Sequence, residues 1–420
     1  MQSPRILIAG GGIGGLALAQ GLKRHNIPFT VFEKDPSPNS RAQGYRIRIA
    51  GNGAVALHEC LGKDNWSLFE RTCANVELRL NQLGALDATS LSGQVMPGMG
   101  SGPGQEALAQ RVWGKAGLKS DPNVKRGYAV DRKTLRSLLT LGMEENVKYG
   151  KSFARYETTD NGVKAFFSDG TSEEGTLLVG AEGVASAVRK QFLPDYRYVD
   201  TGTRCLYGKT PITSEFESQF TTKAMKGMGV IKDKNNLGVF LEAMRFPTDA
   251  SIESDGRLEK VDDYVYWVFG GSAEDIGLSD SQFHSLTGKA AADLTVELTK
   301  SWDPSIKCLF ELQDIDQCAP LRLVSARPVQ PDWKPSARVT LLGDAAHAMM
   351  PAGGSGANTA LADAALLLDL IIQQGVTEHM LTKYVEGMWK YALPAIELSA
   401  AGGEKLLGFK GFQGAREIDF

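Results

Sequence analysis

Apolar residues along the chain come in short runs broken by glycines and polar turns. The first, Ile6-Leu-Ile-Ala9, is a strand of the fully buried type, followed at once by Gly10-Gly-Gly12. An Ala/Leu-rich stretch from Ile13 then has helical spacing, and Phe29-Thr-Val-Phe-Glu33 reads as a second strand. Further strands are expected at Val76–Leu80, Val163–Phe167, Thr176–Val179 and Ala337–Leu342. Tyr45 to Ile49 alternates, which places Arg46 and Arg48 on one face. Helices are expected over 54–61, after a cap at Asp131, and over 376–409 with breaks at Pro394 and Gly402-Gly403. From 200 to 275 the pattern changes. Cys205–Thr210, Gly238–Met244 and Asp263–Phe269 look like strands of an antiparallel sheet, and helical spacing returns over Ala273–Trp302. Residues 84–104, rich in Gly, Ser, Met and Pro, read as a long loop.

Strand, glycine turn, helix, strand and acid follow one another at the spacing of a dinucleotide half-site. Gly10 permits a tight exit from the strand, Gly12 lets backbone approach a pyrophosphate, and Gly15 lets the helix pack on the strand. The helix start offers unpaired N–H groups to phosphate. Glu33, followed by Lys34, is placed to accept hydrogen bonds from a ribose. The bland alternative is a glycine turn with no ligand. Two more strand-to-helix junctions carry glycines: Gly180-Ala-Glu182-Gly183, and Leu342-Gly-Asp344 running through Pro351, Gly353, Gly354, Gly356, Ala357 and Asn358. Asp344 lies where open α/β sheets bind ligands, with a helix cap as its other reading. His347 reads as a packed structural histidine. Arg132, in the first turn of its helix, opposes the helix dipole and so points to an anionic partner. Arg46 and Arg48 are either a solvated, ion-paired face or cofactor and substrate contacts.

Charge and composition narrow the classes. The 420 residues are 42% hydrophobic and 23% charged, with a net charge of −3 and no block of like charge, which offers nothing to nucleic acid or an anionic membrane. Five scattered cysteines suggest neither a disulfide framework nor a zinc site, so no metal is expected and a reducing, cytoplasmic setting is the default. The apolar start belongs to the fold and is not a signal peptide, and no long apolar run suggests a membrane span. Oligomeric state is open.

Three segments together, Gly10–Glu33, Gly180–Arg189 and Leu342–Asn358, resemble the single-component FAD-dependent aromatic hydroxylases, the p-hydroxybenzoate and salicylate hydroxylase type. The resemblance implies an α/β fold: a Rossmann-like, three-layer FAD-binding domain (1–75, 106–195 and 275–375) with an inserted antiparallel-sheet substrate domain (76–105 and 196–274) and a C-terminal helical segment (376–420). It implies FAD held by Gly10, Gly12, Gly15, Glu33 and Lys34, by Arg41 and Gly44 of Arg-Ala-Gln-Gly, by Arg111, Arg132 and Glu182, and by Asp344, Pro351, Gly354, Gly356, Ala357 and Asn358. The family has aspartate where Glu182 stands. NAD(P)H would reduce the flavin, O2 would add at C4a, and oxygen would pass to an electron-rich small molecule. Relatives anchor a phenolate with an arginine on the first strand of the substrate sheet. That implies Arg204 and Tyr207, with Arg46, Arg48 and Arg245 as rivals. Phe240, Tyr266 and Trp267 are expected to line a pocket for a bulky aromatic or apolar substrate. A flavin-dependent reductase and a non-catalytic redox sensor are the alternatives. The absence of a Trp-x-Trp-x-Ile-Pro run argues against a halogenase.

Overall fold

Ile6–Ala9 has no polar face, so it can only be a central strand, and it lies in the middle of a five-stranded parallel sheet. The order is Val339–Leu341, Leu177–Gly180, Ile6–Ala9, Phe29–Glu33, Val147–Tyr149. The structure, a computed structural model, describes residues 4–38, 40, 45–75, 77, 80–91, 124, 127–234, 236–334 and 336–419. Helices Ile13–Arg24, Asn52–Arg71 and Gly356–Gln374 pack together against this sheet. A three-stranded antiparallel sheet, Phe153–Thr158, Val163–Phe167 and Ser172–Gly175, forms the third layer, with the Phe167 ring 4.4 Å from Phe32. The expected Rossmann-like layer is therefore present. Gly356–Gln374 is long and apolar enough to cross a bilayer by length and composition, and most of it is buried among the neighbouring helices.

The helix expected over 54–61 ends where expected, at Gly62 (φ 71°, ψ 173°), and a second helical segment continues from there to Arg71. The C-terminal helix is longer than its pattern suggests. Glu378–Leu406 runs unbroken through Pro394, Gly402 and Gly403. The two glycines are there for close approach: a Cβ on Gly402 would press on Ala352 and one on Gly403 would run into the Met350 sulfur.

The second sheet has the path Ala319–Ser325, Tyr198–Pro211, Tyr264–Ser272, Gly238–Met244, Met228–Lys232, Leu80–Gly84, with Glu417–Ile418 pairing on Tyr198–Pro211. Its pairings are antiparallel except that of Leu80–Gly84 with Met228–Lys232. One face presents Leu206, Val239, Leu241, Val265, Trp267 and Phe269 to the helices between Ala273 and Glu311, where Phe283, Trp302, Ile306 and Phe310 meet them. The helical stretch from 275 was grouped by sequence with the first domain. It packs on the second sheet, because helical periodicity says that one face is buried but not against what.

The two sheets are riveted at Asp131. Arg46–Ala50 pairs antiparallel with Gly127–Asp131, and Arg132–Thr140 starts immediately after. Asp131 is 1% exposed. Its Oδ1 accepts from the N–H groups of Lys133 (2.9 Å) and Thr134 (3.1 Å), which caps the helix as the pattern predicts. Its Oδ2 accepts from Lys209 Nζ (2.6 Å) and Tyr264 Oη (2.9 Å) on the substrate sheet. Asp131→Ala leaves Lys209, Tyr264 and two helical N–H groups without an acceptor. It should therefore cost about 3 kcal/mol in urea unfolding; a loss below about 1 kcal/mol would show that the seam does not depend on this carboxylate.

Candidate functional site

Three strand ends meet beside this seam. At the first, Gly10 takes φ 107°, and a Cβ there would strike the Ala181 carbonyl; a Cβ on Gly15 would strike the Gly10 carbonyl. Backbone can cross this closely only without side chains. Ile13–Arg24 begins at Gly12 with no side chain capping it, so its first N–H groups face outward. Glu33 is buried and accepts from Gly11 N on Oε2 and Asp35 N on Oε1, both at 2.9 Å. Arg136 donates to the Gly11 carbonyl at 3.2 Å and stands 3.9 Å from Glu33. Burial, then Arg132, push its guanidinium below the ordinary value, and Glu33 offsets part of this. Sequence reasoning missed Arg136, although it lies one helical turn beyond Arg132.

At the second strand end, the Glu182 carboxylate is taken up by its own turn. It folds back onto Ser186 Oγ (2.5 Å) and the N–H groups of Ala187 and Val188 (both 3.2 Å). Burial raises its pKa while those donors and Lys34 lower it. Lys34 itself is exposed.

The third strand end is held from beneath. Asp363, fully buried, accepts from Gly343 N, His347 Nε2 and Tyr391 Oη, each at 2.7 Å. Gly343 sits at φ 61°. His347 is therefore the structural histidine its packing suggested. Asp344, just above, is exposed to the cleft, with Oδ1 beside Gly356. The surrounding protein raises its pKa, while the charges of His347 and Arg132 lower it. Arg132 and Asp344 thus act on the same space, and Arg136 lies about 6 Å along the helix from Arg132, toward Glu33. Asn358 engages its whole side-chain amide with protein: Oδ1 accepts from Ala50 N (2.9 Å), and Nδ2 donates to the carbonyls of Arg48 (3.0 Å) and Gly354 (2.9 Å). That fixes the Pro351–Asn358 loop against the Arg46–Ala50 strand.

The second sheet roofs this space with its other face. Alternation from Tyr264 puts Tyr266 and Val268 on the cleft side, register neighbours of Glu242 and Phe240, with Tyr207 opposite Val268. Tyr45 is the hub, its ring 5.2 Å from Tyr207, 6.4 Å from Tyr266 and 5.2 Å from the Arg132 guanidinium. No motif flagged it. Three expectations are corrected by strand parity and position. Trp267 faces the helices, where its indole N–H donates to Thr210 Oγ1 at 3.0 Å. Arg204, 3% exposed, is locked to Asp200 (2.9 Å) and Asp280 (2.6 Å) with Arg322 and Arg416 nearby, on the face away from the cleft. Arg245 pairs with Glu217 and Asp263 at the end of its strand. Arg41, Gly44 and Arg111 lie outside the described residues.

The FAD binding domain profile matches residues 319–384, and the NAD(P)-binding Rossmann-like domain profile matches 8–62. The dual O-methyltransferase/FAD-dependent monooxygenase elcB of Phaeosphaeria nodorum is 37% identical over 391 residues, covering 86% of this chain and 39% of that protein. The FAD-dependent monooxygenase phnB of Penicillium herquei is 30% identical over 382 residues, covering 88% of this chain and 82% of phnB. The chain belongs to the FAD-dependent monooxygenases. A solved Photorhabdus luminescens protein, assigned as an FAD-containing monooxygenase, superimposes with a TM-score of 0.77 at 29% identity, covering 98% of this chain and 100% of that one. This monooxygenase chain spans 39% to 48% of the length of the dual-function relatives it matches. Its residues fit FAD: backbone crosses backbone at Gly10 and Gly15 with no room for side chains, the helix start at Gly12 has no side-chain cap, and Glu33 and Asp344 stand at or just past the ends of two strands of one sheet.

Beneath the third strand end the monooxygenase carries a titratable support. Burial opposes a charged His347, but Asp363 outweighs it and the imidazole pKa is raised above its ordinary value near 6.5. The native state then binds the proton more tightly than the unfolded chain. Its stabilisation is complete below about pH 6.5 and is lost as pH rises through the raised value. His347→Gln should flatten that fall in a melting-temperature series from pH 6 to 9; an unchanged profile would assign the slope to other groups.

Proposed function

We propose that this chain is an NAD(P)H- and O2-dependent FAD monooxygenase that hydroxylates or epoxidises a bulky aromatic or apolar small molecule. The observation that supports the reading is that Arg132, over the Tyr45 ring with Tyr207 and Tyr266 against the same ring, is near enough to Asp344 for its charge to bear on that carboxyl. Family membership supports the cofactor, and the FAD-dependent monooxygenases among the relatives support the reaction class. Bound FAD would take electrons from NAD(P)H and activate O2 to transfer one oxygen atom to the substrate.

The chain's own part is to bind, orient and exclude water. Glu33 would accept from the adenosine ribose while Gly11 and Asp35 N–H groups hold its carboxylate in place. Gly10, Gly12, Gly15 and the open helix start would take the pyrophosphate. Arg132 would add positive charge, Asp344 would accept from the ribityl hydroxyls, and Pro351 to Ala357 would lie along the ring edge, with Asn358 bracing that loop through its amide. Tyr207, Tyr266, Phe240 and Val268 would cover the substrate and keep the reacting centre dry. The free, buried cysteines suit a cytoplasmic setting.

Asp344→Ala should retain the fold and weaken FAD at least tenfold, read as flavin absorbance per chain after gel filtration. Full flavin stoichiometry would refute its place at the ribityl chain. Incorporation of one atom from 18O2 into an accepted substrate during NAD(P)H oxidation tests the reaction class; oxidation that yields only peroxide with every aromatic tried would overturn it.

A further inference from the structure

Arg46 and Arg48 share the cleft side of the Arg46–Ala50 strand, with Ile47 and Ile49 buried on the other side. The two guanidiniums are not in the same state. Arg46 is in ion-pair contact with Glu242 of the substrate sheet, both side chains under 10% exposed. Arg46 Nε and Nη2 and Glu242 Oε2 nevertheless make no directional hydrogen bond, so this pair neutralises charge without being geometrically locked. Arg48 is half-buried, and its side chain's polar contact is Nη1 to the Met228 sulfur at 3.5 Å, a weak acceptor. No carboxylate is hydrogen-bonded to it among the described residues. Burial, then Arg46, depress its guanidinium and Glu242 only partly compensates. Two cations and one anion leave a net charge of +1, set among Tyr266, Phe240 and Met228, whose strands are the register neighbours of Glu242.

The place of Arg48 relative to the cofactor loop is fixed as well. The Asn358 amide joins the Arg48 carbonyl to the Gly354 carbonyl, so the Arg48 backbone is fastened to the Pro351–Asn358 loop while its guanidinium reaches to Met228 of the substrate sheet.

We propose that Arg48 is the substrate's anion anchor, and that Glu242, by cancelling Arg46, sets the cleft to read a single negative charge on an aromatic ligand. The arginine expected for this task from the substrate sheet, Arg204, is turned to the opposite face and paired with the carboxylates of Asp200 and Asp280. The ligand class is an aromatic monoanion, a carboxylate or an acidic phenolate. A neutral analogue leaves Arg48 uncompensated, and a dianion meets Glu242. The inference rests on the monooxygenase reading above and adds to it the charge of the substrate.

The test uses FAD-loaded protein and three probes of similar shape: 1-hydroxy-2-naphthoate, its neutral amide, and naphthalene-2,3-dicarboxylate. Binding is read from the change in flavin absorbance. Wild type should bind the monoanion about tenfold tighter than the amide. In Arg48→Gln that preference should disappear, and Arg48→Lys should restore part of it. Glu242→Gln should improve dianion binding about tenfold relative to the monoanion, a gain that a merely structural role for Glu242 would not produce. Flavin content and melting temperature are measured on each variant; if Arg48→Gln does not fold, the Arg48→Lys and Glu242→Gln comparisons decide. A wild type that binds amide and monoanion alike, binds none of the probes, or keeps its preference in Arg48→Gln overturns the anchor. A protein that takes up no FAD overturns the monooxygenase reading itself, so the two failures are told apart before any probe is added.

Discussion

One buried carboxylate divides its two oxygens between the halves of the molecule. Asp131 caps the Arg132–Thr140 helix with one and holds Lys209 and Tyr264 of the substrate sheet with the other. Because the group is out of water, its four donors are not interchangeable with solvent, and loss of any one would leave buried polarity unmatched. The consequence reaches the cleft directly. Arg132 is the residue after Asp131 and Arg136 lies one turn on, so the direction in which both guanidiniums point is set by the bond that also sets the height of the roof. Asn358 is the second rivet, tying the cofactor loop to the same two-stranded ribbon from its other end. The ribbon of Arg46–Ala50 and Gly127–Asp131 is thus the common part of two interfaces, and the cleft lies between its fastenings.

Most of the nucleotide side of this cleft is backbone. Gly10, Gly15 and Ala181 approach so closely that side chains are excluded, and Glu33 is oriented by two main-chain N–H groups. Such a surface is legible in sequence because glycine is needed where backbone must cross backbone, and spacing then carries the geometry. The cap at Asp131, the shared face of Arg46 and Arg48, and the parallel sheet were legible for the same reason, each being decided within a few residues. Tyr45 was not legible, because its role comes from three partners contributed by distant segments.

The roof was read less well, and a physical cause is visible. Which face a strand residue takes depends on register, and the pairing of Tyr198–Pro211 with Ala319–Ser325 shifts between Asp200 and Arg204, with Gly202 at φ 72°. Four residues of one strand stand against two of the other there, so the face on which alternation resumes cannot be counted from the chain alone. Counting along the chain finds the right strand, yet cannot say whether Arg204 or Cys205 looks into the cleft. Trp267 illustrates the same limit: one position separates it from Tyr266, and that step moves it from the substrate to the helical core. The helices after Ala273 show the corresponding limit for domains, since their apolar faces fit either sheet.

Parity also explains why the roof carries so little charge. Tyr207, Tyr266, Val268 and Phe240 occupy its cleft-facing positions, while Arg204 and the carboxylates of Asp200 and Asp280 are gathered on the far side into a network that includes Arg416 of the C-terminal segment. Arg322 joins them, so three guanidiniums are paired with two carboxylates on the side of the sheet away from the cleft. On the cleft side the described residues contribute Arg46, Arg48, Glu242, Arg132 and Asp344, with Lys209 held by Asp131. In a low-dielectric space an uncompensated cation attracts an anion more strongly than a solvated one does, and the aromatic walls raise that selectivity by excluding the water that would otherwise screen it. A roof lined mainly by rings and a floor where Arg48, among the described residues, has no carboxylate hydrogen-bonded to it are therefore a single arrangement. The position of Arg48 beside the loop braced by Asn358 makes the orientation of a bound ring depend on the same ribbon that aligns the two halves of the protein.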